Sequence, residues 1–381
     1  MTQENGMHMG VVKGTRPRWG RAAAVVAAAG AICLAEAGAA AAADHDTVVD
    51  CNRDPNALVL ALSTAQPGST LRIKGVCFGN FVINTDLKLV GVDDAVLDGH
   101  ETGTSVTVNS ARVELKNLTI IHGHADNGGG VLNNGGRVTL DDSIVRNNTV
   151  SQGGGGIDNQ NGTLTLTRST VRNNIANGSF SFGGGINSDK GTVTLDHSTV
   201  SDNFAGGTVG SLGGGIENGQ TNLKLISSTV SNNSAVEAGG IDTFNKSTLT
   251  LIDSTVSKNS ASTLDSGGIL IETTNTSATL SRSKVLDNTS GSNDGGGIYN
   301  QSKTTLEETT VSGNIAGRFG GGIYNSPTGN LTLRRSTVEH NTAYQDGGGI
   351  YNLGVVTLRD SEVRKNHPDN CAPTPIPGCK G

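Results

Sequence analysis

Gly154-Gly155-Gly156-Ile157-Asp158, then Thr163-Leu164-Thr165-Leu166, then Ser169-Thr170-Val171 and Asn174: these short stretches return along the chain in the same order. Thr-Leu-Thr-Leu alternates with period two, so Leu164 and Leu166 face one side of a strand while Thr165 faces the other. Ser169-Thr170-Val171 resumes the alternation after a bend, with Val171 inward. Gly154–Gly156 accept positive φ and lead into a third strand at Ile157. None of the three strands is long enough to be stable alone, and the connections leave no room for helical crossovers. Each strand must therefore lie parallel to its own copy one repeat later.

Moving outward from residues 154–174, the Gly-Gly-Ile element recurs at Ile186, Ile216, Ile241, Ile269, Ile298, Ile323 and Ile350, preceded by Val131, at intervals of 25 to 30 residues. The Leu-x-x-Ser/Thr-x-Val element runs from Leu140/Val145 to Leu358/Val363, and three residues after each Val stands an asparagine. These are Asn148, Asn174, Asn203, Asn233, Asn259, Asn288, Asn314, Asn341 and Asn366. A fixed interval of this length identifies a solenoid, in which each repeat buries its apolar face only against its neighbours. The predicted fold is all-β, a right-handed single-stranded parallel β-helix with three strands per coil. Nine regular coils and about three irregular ones, stacked at ~4.8 Å, give a rod of roughly 55 Å. The asparagines read as a structural ladder: Asn suits a tight bend, and amides at this spacing bond along the stack.

Composition agrees. Glycine numbers 55 and aromatics are 3% of the chain, too few rings for a globular core of 381 residues. Residues 1–43 read as a signal peptide, with Lys13, Arg16, Arg18 and Arg21 before the apolar run Ala22–Leu34 and Ala41-Ala42-Ala43 as the cleavage site. A secreted, extracellular or cell-surface location, in a bacterium, follows from that reading. Without this segment the net charge moves from −6 to about −8. Nucleic acid, which wants a basic surface, is a poor partner. No later stretch reads as a membrane span, and nothing in the pattern sets an oligomeric state.

The ends differ from the middle. Residues 44–120 read as an N-terminal cap and irregular first coils, with Asp54 as N-cap and Pro55 as first residue of a short helix. Residues 121–366 hold the regular repeats, and 367–381 a proline-rich cap. Cys51 and Cys77 at one end and Cys371 and Cys379 at the other suggest two local disulfides, although four cysteines allow three connectivities.

With these motifs in hand, the chain resembles the right-handed parallel β-helix repeat proteins of the pectate-lyase-like superfamily. Its Gly-Gly-Gly-Ile-Tyr-Asn and Val-x-x-Asn elements are similar to repeats of chlamydial polymorphic outer-membrane proteins. It departs from the latter in having valine where they have phenylalanine, and in lacking their barrel. The resemblance implies an exported adhesin-like protein; the superfamily also houses lyases, hydrolases and epimerases, so fold alone does not choose.

Candidate chemistry lies in the row just after each inward Ile or Val: Leu132, Asp158, Asn187, Glu217, Asp242, Leu270, Tyr299, Tyr324 and Tyr351. Alternation makes this row outward and hence solvated. Glu217 and Asp242 become neighbouring carboxylates, one of which can have a raised pKa, and with Asp158 they are the candidates for catalysis by a polysaccharide lyase or glycoside hydrolase. Calcium bridging the row is a second use; otherwise no cofactor is implied. Tyr299, Tyr324 and Tyr351 form an aromatic strip suited to binding a polysaccharide or cell-surface component. His122, His124 and Asp126 read as an ordinary loop, no third metal ligand standing at suggestive spacing. Outward threonines such as Thr165 and Thr250 raise ice binding, against which Lys224 and the charged flanks count. An interrupted coil that could build a groove is expected at Ala176–Phe182 and Ala205–Leu212. The uniform repeat favours binding over catalysis.

Overall fold

The computed structural model describes residues 46–207, 210–263, 265–273 and 275–380; the expected leader, 1–43, lies outside them. The chain winds as a parallel β-solenoid of about twelve turns with one short helix. Every strand pairing is parallel and joins a segment to its counterpart one coil on, as Thr163–Thr167 does with Arg137–Asp141 and with Thr192–Asp196. The crossover rule for parallel strands makes the winding right-handed.

Each regular coil contributes to three sheets. Sheet A takes the Leu-containing and Val-containing segments, for example Thr163–Thr167 and Thr170–Arg172, separated by a bend at Arg168 with φ +46°. Sheet C follows the asparagine and is often only two residues long, as at Ile175–Ala176. Sheet B is the strand after the glycines, such as Ile186–Asp189. Sequence reasoning finds the two segments of sheet A and the strand of sheet B; sheet C, too short to show alternation, escapes it.

The core is one continuous file of Leu, Val and Ile. Leu164, Leu166, Val171 and Ile186 are completely buried, and so are their copies through most of the rod. Buried polar ladders run beside the file. At the second bend the residue in the left-handed region is the one before each ladder asparagine, such as Asn173 (φ +55°) or Lys258 (φ +56°). The expectation that the bend lies at the ladder asparagine itself is thus corrected. The ladder residue turns inward: Asn203 Nδ2 donates to Asn233 Oδ1 at 2.9 Å, Asn233 to Asn259 at 3.0 Å, and Asn259 to Asn288 at 3.0 Å. The same oxygens accept the backbone N–H of the preceding asparagine, and each Nδ2 also donates to a Val carbonyl. At the first bend Ser169, Ser198, Ser228 and Ser254 form a second ladder, the backbone N–H of each donating to the next hydroxyl at 3.1 Å.

Disulfides close both ends, Cys51–Cys77 and Cys371–Cys379. Helix α1 spans Ala57–Thr64, starting later than predicted. Asp54 does not cap it; its carboxylate accepts the N–H of Asn56 in a turn that holds Pro55 outside the helix. Leu58 is fully buried, so α1 covers the open start of the solenoid as a cap must.

Candidate functional site

Sheet B places the predicted row in register. Leu132 pairs with Asp158, Asp158 with Asn187, Asn187 with Glu217 and Glu217 with Asp242. Asp242 then pairs with Leu270, Leu270 with Tyr299, Tyr299 with Tyr324 and Tyr324 with Tyr351. All nine side chains point away from the core file. In its acidic half, however, the row is not solvated. Asp158 is 1% exposed, Glu217 5%, and Asp242 and Leu270 not at all.

The glycine turns cause this. The first residue of each turn takes a left-handed φ and folds the chain back across the row: a Cβ on Gly128 would stand 2.9 Å from Leu132 Cβ, and one on Gly347 would stand 2.7 Å from Tyr351 Cβ. The residue just before each turn therefore flanks the row. That second line reads Asn127, Gly153, Phe182, Leu212, Glu237, Asp265, Asp294, Phe319 and Asp346, tied coil to coil by hydrogen bonds such as Ala238 N–H to Asp265 C=O at 3.0 Å and Ser266 N–H to Asp294 C=O at 3.1 Å. The expected interruptions at Ala176–Phe182 and Ala205–Leu212 extend sheet C instead, Phe180–Phe182 pairing with Gly210–Leu212. On the far side of the row lie Gln160, Asp189 and Glu272.

The middle of the molecule thus gathers carboxyl groups along the strip of sheet B between its two flanking lines, covered at Asp158, Glu217 and Asp242 and half-open at Glu237, Asp265 and Glu272. Asp158 accepts from Gln160 Nε2 and Asn187 Nδ2, both at 2.8 Å, yet burial still pushes its carboxyl up to about 6. Burial raises Glu217 well above the ordinary range, with Asp242 and Asp158 adding repulsion. It does the same to Asp242, helped by Glu272 and Glu237. Half-buried Glu237 is raised to about 7 and Asp265 to about 6, again chiefly by burial. Neither oxygen of Asp242 has a hydrogen-bond partner, nor has Glu217 Oε2. Among the described residues two cations stand at the edges of the cluster: Arg318, 3.8 Å from Asp294 and over the Phe319 ring at 5.1 Å, and Lys190, 3.1 Å from Asp189.

Alternation along sheet B places Asp158, Glu217 and Asp242 in this cluster but does not reveal Glu237, Asp265, Glu272 and Asp294. A signal existed for three of them, since each immediately precedes the Gly-Gly-Ile turn. Alternation gives direction but not cover, so the expectation that these acids are solvated is corrected by their burial. Among the described residues, no group of three or more His, Cys, Asp or Glu side chains stands close enough to hold a metal ion.

The tyrosines continue the groove. Tyr299 and Tyr324 stack at 4.6 Å between ring centroids, Tyr324 and Tyr351 at 5.5 Å, and Phe319 stacks on Tyr351 at 4.4 Å. The rings lie face to face, so they offer edges and hydroxyls to a visitor rather than a flat platform. The three tyrosines are half-buried. The histidine group does not assemble: His122 Nδ1 lies 3.0 Å from Asp98, while Asp126 accepts the Ser151 hydroxyl. A depression beside α1, lined by Val59, Leu62, Phe81 and Ile83, holds no titratable side chain.

Residues 215–372 match the sequence profile described as "Right handed beta helix region". Among solved structures the chain is similar to pectate lyase Pel9A at 12% identity and a TM-score of 0.44, over 84% of this chain and 79% of that one. No curated protein sequence matches the chain. The parallel coils throughout and the profile matched over residues 215–372 together show the fold, a right-handed parallel β-helix built of repeats.

Proposed function

We propose that this protein is an exported, extracellular or cell-surface rod that binds polysaccharide along the groove on sheet B, in the manner of an adhesin. One observation carries the reading: a single registered line runs from the carboxyl cluster into stacked, half-buried Tyr299, Tyr324 and Tyr351. A line of polar edges and hydroxyls at coil spacing suits an extended polymer lying along the axis. The disulfides at both ends fit an oxidising compartment. Replacing the three tyrosines together by Ala should abolish retention on a polysaccharide array while leaving the circular dichroism of the rod unchanged. Unaltered retention would remove the groove from consideration.

A second reading, a polysaccharide lyase or glycoside hydrolase, draws support from the adjacent Glu217 and Asp242, whose carboxyls burial raises well above the ordinary range, the direction a general acid needs. Against it stands the complete burial of Asp242, which leaves no surface for a substrate. Release of reducing or unsaturated ends that disappears in Glu217→Gln would favour this reading over binding alone.

A further inference from the structure

We propose that the groove selects a polymer carrying ammonium groups, a polysaccharide of deacetylated amino sugars, over neutral or uronate polymers. The inference rests on the reading above, that the groove binds saccharide, and names the class of saccharide.

The charge inventory is one-sided. Asp158, Asp189, Glu217, Glu237, Asp242, Asp265, Glu272 and Asp294 share the groove, and the two cations at its edges are already engaged, Arg318 by Asp294 at 3.8 Å and Lys190 by Asp189 at 3.1 Å. A cleft lined by one sign of charge with protein walls focuses its field on the opposite sign. Uronate carboxylates meet repulsion there. A neutral sugar can donate its hydroxyls to these carboxylates but brings no charge to meet theirs.

The burial pattern points the same way independently. Asp242 and Glu217 are at least nine-tenths buried, lie on the face of sheet B beneath the turns, and keep three oxygens without partners. Such groups leave an electrostatic demand that the chain itself does not meet. Polymer contact falls to the half-buried rim, Glu237, Asp265 and Glu272. Glu237, Asp265 and Asp294 occupy the same position in three consecutive coils, at ~4.8 Å intervals. A sugar chain has a repeat of similar length, so one laid along the axis brings an ammonium, with its three donors, to Glu237 and then to Asp265, Asp294 being buried and already held by Arg318 and the Phe319 N–H.

The test is calorimetric titration of the protein with a glucosamine hexamer, an N-acetylglucosamine hexamer and a galacturonate hexamer, at low and at high salt. The glucosamine hexamer should bind about tenfold tighter than its acetylated counterpart, and the preference should shrink in salt. The combined variant Glu237→Gln, Asp265→Asn, Glu272→Gln relieves repulsion and so keeps the fold; it should bind both amino-sugar hexamers equally. Equal binding of both by the unaltered protein overturns the ammonium selectivity and leaves saccharide binding standing. Preference for galacturonate overturns it outright. Failure of all three to bind removes the saccharide reading as well.

Discussion

Two polar lines lie along this rod at the same coil spacing, the asparagines from Asn148 to Asn366 and the acids only in its middle, and they have opposite fates. The asparagine line at the second bend is buried and saturated, every amide donating twice and accepting from the coil before it. The acidic line on sheet B is buried just as deeply through Glu217 and Asp242, yet three of its oxygens have no partner. Solenoid registry explains both. Stacking identical groups rewards a side chain that carries donor and acceptor together, and penalises one that only accepts or is charged. The first line is what holds coils together; the second is a cost that the rest of the rod must carry, which is how functional sites commonly stand out.

The largest effect should come from breaking the saturated line. Asn233→Ala removes two bonds that Asn233 donates and strands the two donors of Asn203 that it accepts. At about 1 kcal/mol per lost bond, with unsatisfied groups left buried, the loss should be roughly 3–5 kcal/mol. Urea unfolding checks it; a loss below about 1 kcal/mol would mean that the ladder is ornamental.

The acidic line predicts an unusual pH profile. Asp158, Asp265 and Glu237 have folded pKa values of about 6, 6 and 7, above their unfolded ones. Between about pH 4 and 7 the folded state therefore holds more protons than the unfolded chain, and stability falls as pH rises through that window. Asp158, the most enclosed of these three, alone contributes about 2–3 kcal/mol of this fall. On the exposed side, Asp142 and Asp253 are held below the usual range by Arg168 and Arg282, and their support is lost only at lower pH. Melting temperatures should thus peak on the acid side of neutrality. Asp158→Asn should recover much of the neutral-pH loss, and Asp242→Asn should flatten the curve further. A profile that climbs from pH 5 to 8 would contradict the raised carboxyls of this line.

The contrast between the lines also marks what the sequence makes readable. Ile157, Leu166, Val171 and Asn174 repeat with fixed offsets because each has one permitted environment in every coil. That regularity made the winding, the core file and the asparagine ladder visible. Cover over the acidic row depends on the stretch between asparagine and glycines, which changes length and composition from coil to coil. The back-folding of the turn at Ala238 or Gly295 is a tertiary event without a period of its own. Hence Asp242 could be placed on the outer face of its strand from alternation, while its burial and its neighbours Glu237 and Glu272 could not.

The smallest effect is expected at the turn itself. In most coils the left-handed position that crosses the row is glycine, as at Gly213 (φ +60°), where a Cβ would come 2.6 Å from the Ile216 carbonyl. In the two coils between Glu237 and Leu270 it is Ala238 (φ +50°) and Ser266 (φ +59°). A residue with a Cβ pays about 1–2 kcal/mol there, partly offset by the freedom glycine loses on folding. Gly213→Ala should therefore destabilise by about 1–2 kcal/mol, and Ala238→Gly should stabilise by at most about 1 kcal/mol, since a buried methyl is lost. Paired denaturation curves decide it. Opposite signs would locate stored strain in the coils that carry the acids. If Gly213→Ala proves neutral, the turns do not press on the row, and the burial of Glu217 and Asp242 would need another cause.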